Sequence, residues 1–221
     1  MKRLALLLVI AGTSLHAQEL VIGASLPETT IVDDSGRVRS TAEWKGTPTI
    51  LAPIYVRCPL ACPMIARGLK RGAAESSASA STYRVVLFSF DPRDTPADLR
   101  NFREQHQIPL AWTVATAAHK GDERRMLDAL GYRYGEAGGH YTHPNAVIAL
   151  TPDLKTAKVL FGTTYDIDAA LDVARGGHDW IGQYGGWMLG VLLLVFLLSV
   201  VYLVTLVSGR HAASGVVADR L

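Results

Sequence analysis

The fold of this chain is decided at a turn that reads Tyr55-Val56-Arg57-Cys58-Pro59-Leu60-Ala61-Cys62-Pro63-Met64. The turn holds both cysteines of the chain, four positions apart, between an apolar run and the start of a helical pattern. Side chains at positions i and i+4 of a helical or turn-like path point the same way, so the two sulfurs can converge on one partner or on each other. The N-terminal end of the following helix favours a thiolate. The pair therefore indicates a soft-metal site or a redox-active dithiol.

Two plainer interpretations of the cysteine pair stay open, a structural disulfide and two buried thiols. A crosslink that closes so short a loop adds little stability, which argues against the structural disulfide. In an oxidising compartment the two thiols could also rest as a disulfide, and the number of cysteines does not decide their redox state.

The segments around the turn predict an α/β fold. Residues 48–56 are a continuous apolar run, typical of a strand buried on both faces, and Pro63 suits the first turn of a helix. We therefore predict a thioredoxin-like arrangement, a mixed sheet flanked by helices, with the cysteine turn at the carboxyl end of the first central strand. The pattern further predicts a hairpin at 29–32 and 38–40, strands at 83–90, 111–115, 145–150 and 157–161, helices at 96–106, 123–130 and 167–174, and an irregular loop at 131–143.

The two ends of the chain carry targeting signals. Residues 1–17 have a basic start, a short apolar run and a small-residue cleavage site, so we interpret them as an export signal. Residues 187–207 contain no charged side chain and are long enough for a transmembrane helix, followed by a tail at 208–221. Arg210 and His211 after the span predict a cytoplasmic C-terminus. Residues 18–180 would then form one domain on the periplasmic side of a bacterial-type inner membrane, held by a single pass. The net charge of +2 and the dispersed basic residues give no sign of nucleic-acid binding.

Two thiolates alone make an incomplete metal site, so a third ligand is expected. Of the seven histidines, His106 lies on the inner face of a helix pattern, and His119 and His178 are in polar or membrane-proximal segments. His140 and His143 differ because they end a loop directly before a buried strand, where a loop can close over a neighbouring strand end. The residues alone leave the choice between these two open.

Three motifs in order carry a family resemblance. They are Cys58-Pro59-x-x-Cys62-Pro63, then Phe90-Asp91-Pro92-x-Asp94-Thr95, then a histidine shortly before a strand that ends in Pro152-Asp153. Over residues 26–177 the chain resembles the Sco/SenC family of copper-delivery proteins. The resemblance implies a thioredoxin-like fold and copper bound through residues that match Cys58, Cys62 and His143. Two soft thiolates and one imidazole suit copper(I) and still tolerate copper(II). His143 is the match because its distance from Pro152-Asp153 fits the family spacing.

The resemblance also implies a role. Family members deliver copper to the binuclear copper site of cytochrome c oxidase subunit II, so that subunit is the expected partner, with a periplasmic copper donor or thiol reductant as further partners. The alternative is an enzyme, a membrane-anchored thiol-disulfide oxidoreductase in which Cys58 attacks and Cys62 resolves. A peroxidase-like relative is a third class, and no catalytic constellation around one cysteine supports it.

Three departures from the family pattern are visible. The family usually has an aspartate directly before the histidine, where this chain has Thr142, so we expect a weaker hold on the imidazole and on the metal. Arg57 stands before the first cysteine, where a small or neutral residue is common. The predicted membrane anchor is C-terminal rather than N-terminal.

Overall fold

The structure is a computed structural model that describes residues 20–176, 187 and 190–203. The chain divides into two compact units, Met1–Gly177 and His178–Leu221. The described strands are β1 (Thr30–Asp33), β2 (Val38–Ser40), β3 (Thr49–Ile54), β4 (Arg84–Ser89), β5 (Thr113–Ala117), β6 (Gly135–Ala137), β7 (His140–Thr142), β8 (Ala146–Leu150) and β9 (Thr156–Phe161). The described helices of the first unit are α1 (Ala61–Glu75), α2 (Pro96–His106), α3 (Asp122–Ala129) and α4 (Ile167–Ala174), with a 3₁₀ turn at Thr41–Trp44.

Seven of these strands form one mixed sheet in the order β2-β1-β5-β4-β3-β8-β9. The pairs β3/β4 and β4/β5 are parallel, and the other pairs are antiparallel. Every residue of β3 is buried, as expected for a continuous apolar strand with neighbours on both sides. The predicted mixed sheet is therefore confirmed, and β3 delivers the cysteine turn from its interior.

Helix α1 packs unusually close to the segment that precedes α4. A Cβ atom added at Gly68 would lie 2.1 Å from the carbonyl oxygen of Thr163, and one at Gly72 would lie 2.3 Å from that of Tyr165. Real Cβ atoms do not approach a backbone oxygen this closely, so only glycine fits at these two positions. The two glycines hold α1 directly against a neighbouring backbone.

The prediction of an irregular loop at residues 131–143 is wrong. Within residues 131–143 the chain forms the hairpin β6–β7, a two-stranded sheet separate from the main one. Gly138 and Gly139 both have positive φ, 61° and 81°, which supplies the tight turn that such a hairpin needs. Its strands are three residues long and almost entirely exposed, so they show no apolar alternation that a sequence pattern could reveal.

Of the predictions about the ends of the chain, the export signal lies wholly outside the described residues and the membrane span lies partly outside them. Residues 1–17 lie outside them, as do 188, 189 and 204–207 of the predicted span. Residues 190–203 are helical. Among the described residues, none of the helices combines the length and the apolar character that crossing a membrane requires.

Candidate metal centre

The cysteine turn leaves β3 at Ile54 and enters α1 at Ala61. Cys58 is 8% exposed and Cys62 is fully buried, in the first turn of the helix. The backbone N–H of Cys62 donates to Sγ of Cys58 at 3.3 Å, and the N–H of Tyr55 donates to Sγ of Cys62 at 3.4 Å. The N-cap residue of α1, Leu60, offers no side-chain acceptor, so the sulfur of Cys58 takes that role at the helix N-terminus. Both thiols are free.

The two sulfurs differ in their acidity. The pKa of Cys58 is lowered to about 3, first because the thiol of Cys62 donates a hydrogen bond to it, with further help from His143 and from the backbone N–H groups of Cys62 and Leu60, although burial opposes the shift. Burial raises the pKa of Cys62, and the hydrogen bond to Cys58 raises it further. Burial and the hydrogen bond between the two sulfurs therefore favour the thiolate on Cys58 and the proton on Cys62.

His143 lies between β7 and β8 and is half-buried. The ligand atoms of Cys58, Cys62 and His143 all lie within 4.8 Å of one another, and among the residues that the structure describes this is the one such group of three candidate ligands. His140, at the start of β7, is exposed and is not part of the group. The structure thus brings together the three residues that the family resemblance implies.

The other histidines lie elsewhere. His106 is half-buried at the end of α2 with its ring 4.4 Å from that of Phe102, as its inner-face position predicts, and burial lowers its pKa. His119 is exposed. His16, His178 and His211 lie outside the described residues.

A cluster of aromatic rings surrounds His143. The imidazole centroid is 5.7 Å from that of Tyr55, at an interplanar angle of 89°, and 5.4 Å from that of Phe90, at 66°. Tyr141 lies edge-on to both of these rings, at 5.1 and 5.3 Å. Such tilted and edge-to-face contacts are the favoured geometry for aromatic groups. Sequence reasoning missed this cluster, although the tyrosines of the 131–143 segment were a visible signal.

A buried carboxylate joins the cysteine turn to the hairpin. Asp91 has no exposed side-chain surface and pairs with Arg57 at 3.0 Å and with Arg93 at 2.8 Å. The hydroxyl of Tyr141 donates to the same carboxylate at 3.3 Å. Burial raises the pKa of Asp91, but the hydrogen bonds from Arg93 outweigh it and the net shift is downward. Arg57 also reaches Asp94 at 2.8 Å, so this departure from the family pattern ties the cysteine turn to the turn after β4.

Comparison with known proteins agrees with these observations. The family model described as SCO1/SenC matches residues 26–170. The chain belongs to the SCO1/SenC family. Its fold is thioredoxin-like, as the sequence predicts. No curated protein sequence matches the chain.

Three solved structures illustrate the relationship. A protein from Aquifex aeolicus VF5, described in terms of electron transfer, is 33% identical with a TM-score of 0.68, and the match covers 72% of this chain and 97% of that one. The ScoI protein of Bradyrhizobium japonicum, solved with copper bound, is 19% identical with a TM-score of 0.57, covering 69% and 99%. BsSco, a member of the Sco family of cytochrome c oxidase assembly proteins in which a disulfide switch was identified, is 18% identical with a TM-score of 0.59, covering 70% and 95%.

Proposed function

We propose that this protein is a membrane-tethered copper chaperone that delivers copper to the binuclear copper site of cytochrome c oxidase subunit II. The observation that carries the proposal is the convergence of Cys58, Cys62 and His143 within 4.8 Å. Two soft sulfurs and one imidazole suit copper(I) and still accept copper(II). Membership of the SCO1/SenC family, the copper in the Bradyrhizobium relative and the assembly role of BsSco support the same cargo and the same destination.

The site also suits a carrier rather than a permanent holder of copper. Three ligands leave a copper(II) ion short of its preferred coordination number, so a partner's ligand can enter. One of the three, His143, is only half-buried and follows the short outlying hairpin. Exchange of ligands with an acceptor therefore needs no opening of the main sheet.

Copper binding is tested with the purified, reduced protein. We expect one copper(I) ion per chain in the wild type and no tight binding in Cys62→Ser, because a hydroxyl is a hard and weak ligand for copper(I). His143→Ala should weaken copper(II) more than copper(I), since copper(I) can persist on two thiolates while copper(II) prefers nitrogen. His140→Ala is the matched control, because that ring is exposed and outside the group. Unchanged binding in Cys62→Ser would remove the site as proposed.

The proposed membrane placement rests on the sequence. The uncharged residues 187–207 and the basic Arg210 that follows predict an anchor with the tail inside and the domain outside the cytoplasm. A reporter fused after Leu221 should be active only in the cytoplasm. Deletion of residue 185 onward should release an exported soluble domain. Protease-sensitive C-terminal residues on the outer face of spheroplasts would reverse the orientation.

A thiol-disulfide oxidoreductase is the second candidate, and the unequal acidity of the two sulfurs favours it. The Cys58 thiolate would attack a target disulfide and form a mixed disulfide, and one target thiolate would leave. Cys62 would then lose its proton and attack Cys58, so that the Cys58–Cys62 disulfide forms and the second target thiolate leaves. This route needs no imidazole ligand. Full oxidase assembly in cells that carry His143→Ala would show that imidazole ligation is not needed for the task and would favour the oxidoreductase.

A further inference from the structure

The imidazole of His143 has two oxygen neighbours on the same nitrogen. Its Nδ1 atom is 3.1 Å from the hydroxyl oxygen of Tyr132 and 3.1 Å from the carbonyl oxygen of Pro144. The Tyr132 hydroxyl is in turn 2.9 Å from the same carbonyl oxygen. Three polar atoms therefore form a closed triangle on the side of the ring that carries Nδ1.

Counting hydrogens in this triangle assigns the tautomer. A carbonyl oxygen only accepts, so the single hydroxyl hydrogen of Tyr132 goes to Pro144. Nδ1 must then carry a hydrogen, which it donates to the hydroxyl oxygen and the carbonyl oxygen. The opposite tautomer would set a nitrogen lone pair against a carbonyl lone pair at 3.1 Å. Nδ1 of His143 thus carries a hydrogen, which leaves Nε2 as the nitrogen that can bind a metal.

Tyr132 itself is held firmly in place. It is fully buried, its backbone N–H donates to the carbonyl of Leu127 in α3 at 2.9 Å, and its ring lies 6.1 Å from that of Phe90. The exposed Thr142 stands where the family usually has a carboxylate next to the histidine. The hydroxyl of Tyr132 is therefore the side-chain group that orients this imidazole.

We propose that Tyr132 is a positioning residue for the copper site: it holds His143 in the Nδ1–H tautomer and presents Nε2 to the sulfurs of Cys58 and Cys62. Partners of this kind orient a ligating imidazole and raise its basicity, and their loss weakens metal affinity by about 10 to 100-fold. The ligation part of this proposal rests on the proposed copper function. The tautomer part concerns the metal-free protein and is tested without copper.

Nitrogen-15 NMR of the histidine side chains tests the tautomer directly. In the neutral, metal-free wild type we expect the His143 hydrogen on Nδ1, and in the copper(I)-loaded protein, which is diamagnetic, we expect ligation through Nε2. A neutral imidazole that carries its hydrogen on Nε2 and none on Nδ1 in the metal-free protein, or copper on Nδ1, would overturn the proposal. A protein that takes up no copper at all would defeat the proposed function while leaving the tautomer result readable.

The substitution Tyr132→Phe tests the role of the hydroxyl. Removal of the hydroxyl should populate both tautomers and weaken copper(II) binding by about tenfold, with a smaller change for copper(I). Tyr134→Phe is the matched control, because Tyr134 belongs to the same aromatic cluster, 4.4 Å from Phe90, and the structure gives its hydroxyl no bond to His143. Equal effects of the two substitutions, or an unchanged tautomer in Tyr132→Phe, would reject a positioning role. If Tyr132→Phe fails to fold, the wild-type spectra still decide the assignment.

Discussion

The cysteine turn and the β6–β7 hairpin supply the two halves of one candidate site and differ in how the fold holds them. The turn joins a fully buried central strand to a helix that packs backbone against backbone. The hairpin consists of two three-residue strands, mostly exposed, outside the main sheet. The sulfur positions are therefore fixed by neighbours in sequence and by the core. The imidazole position depends on contacts between distant parts of the chain, which pass through Asp91, Tyr132 and the aromatic rings.

The largest expected effect is on the reactivity of Cys58, whose pKa is set either by the cysteine turn or by His143 after the hairpin. An ordinary thiol with a pKa of 9.0 loses tenfold in thiolate for each pH unit below that value, or about ten-thousandfold at about pH 5. With a pKa of about 3, Cys58 should instead be alkylated at a nearly constant rate from about pH 8 down to about pH 5. Mass spectrometry after timed iodoacetamide quenching would measure the profile.

Two variants sharpen this first test. Cys62→Ala removes the largest stabilising hydrogen bond to the thiolate and should raise the pKa of Cys58 more than His143→Ala does. The reverse order would mean that the hairpin, rather than the turn, controls the sulfur.

The second-largest effect is expected from a substitution at Asp91, which joins the cysteine turn to the β6–β7 hairpin. Asp91→Asn leaves Arg57 and Arg93, each 44% exposed, facing a neutral amide, and the weakened charge-assisted hydrogen bonds should cost about 2 kcal/mol in the free energy of unfolding. Urea denaturation would measure the loss. The exposed pair of Arg93 with Glu136 offers the control, since Glu136→Gln should cost less than about 1 kcal/mol.

The effect of Asp91 should depend on pH in one direction. Its pKa in the folded protein lies below the usual 3.8, so the carboxylate stabilises the fold above that value and the contribution fades as the pH falls through the folded pKa. The difference between wild type and Asp91→Asn should therefore shrink in strong acid. A difference that grows on acidification would contradict the ion-pair account.

A pair of glycine substitutions compares the rigidity of the two regions. Gly68→Ala places a Cβ atom against the backbone of Thr163 and should lower the free energy of unfolding by about 2 kcal/mol, even after the gain in helix propensity. Gly135→Ala in β6 meets open space and has no positive φ, so it should change stability by less than about 0.5 kcal/mol. Similar losses in thermal denaturation would show that the hairpin is as tightly packed as the helix.

The smallest expected effect belongs to Thr142. The residue is exposed, and Nδ1 of His143 already has two oxygen partners. From the sequence alone, the missing carboxylate predicts a weaker hold on the metal, which Thr142→Asp would restore. Because Nδ1 already has its partners, we expect instead that Thr142→Asp changes copper(II) affinity by less than about twofold, whereas loss of an orienting partner changes it by about 10 to 100-fold. Asn145→Asp is the control, because it adds the same charge two positions after His143 in the sequence. A competition titration would measure the copper(II) affinity of both variants. Selective tightening by Thr142→Asp would assign the orienting role to that position after all.

The first half of the site was predictable from the sequence because it is local. The spacing of Cys58 and Cys62, the apolar run before them and Pro63 after them specify a strand, a turn and a helix without reference to the rest of the chain. The mixed sheet and its helices were predicted for the same reason. Where an apolar run begins before the strand itself, the predicted strand boundary differs from the observed one. The third central strand was predicted at 111–115 and lies at Thr113–Ala117, because Trp112 is held in a turn by its N–H bond to the carbonyl of Pro109.

The second half could not be predicted in this way. The residues alone left His140 and His143 equivalent, and only the family spacing separated them. The contacts of Arg57 and Tyr141 with Asp91 connect positions 34 and 50 residues apart, and no local pattern records such pairs. The bond of Tyr132 to His143 spans only 11 residues but crosses the hairpin, which the sequence interpretation treated as irregular.

The close approach of Gly68 and Gly72 to a neighbouring backbone has a consequence for the order in which bonds to copper break. Gly68 and Gly72 leave little space between helix α1 and that backbone, so we expect the first helical turn, with Cys62 in it, to keep its place when an ion binds. The conformational entropy that is lost when copper binds is then lost mainly by the β6–β7 hairpin and His143. We expect His143 to be the first ligand to leave and the sulfurs the last, so that an acceptor's incoming ligand enters at the imidazole position. The rate of transfer would be set there, while the thiolates determine how tightly copper is held until the acceptor arrives.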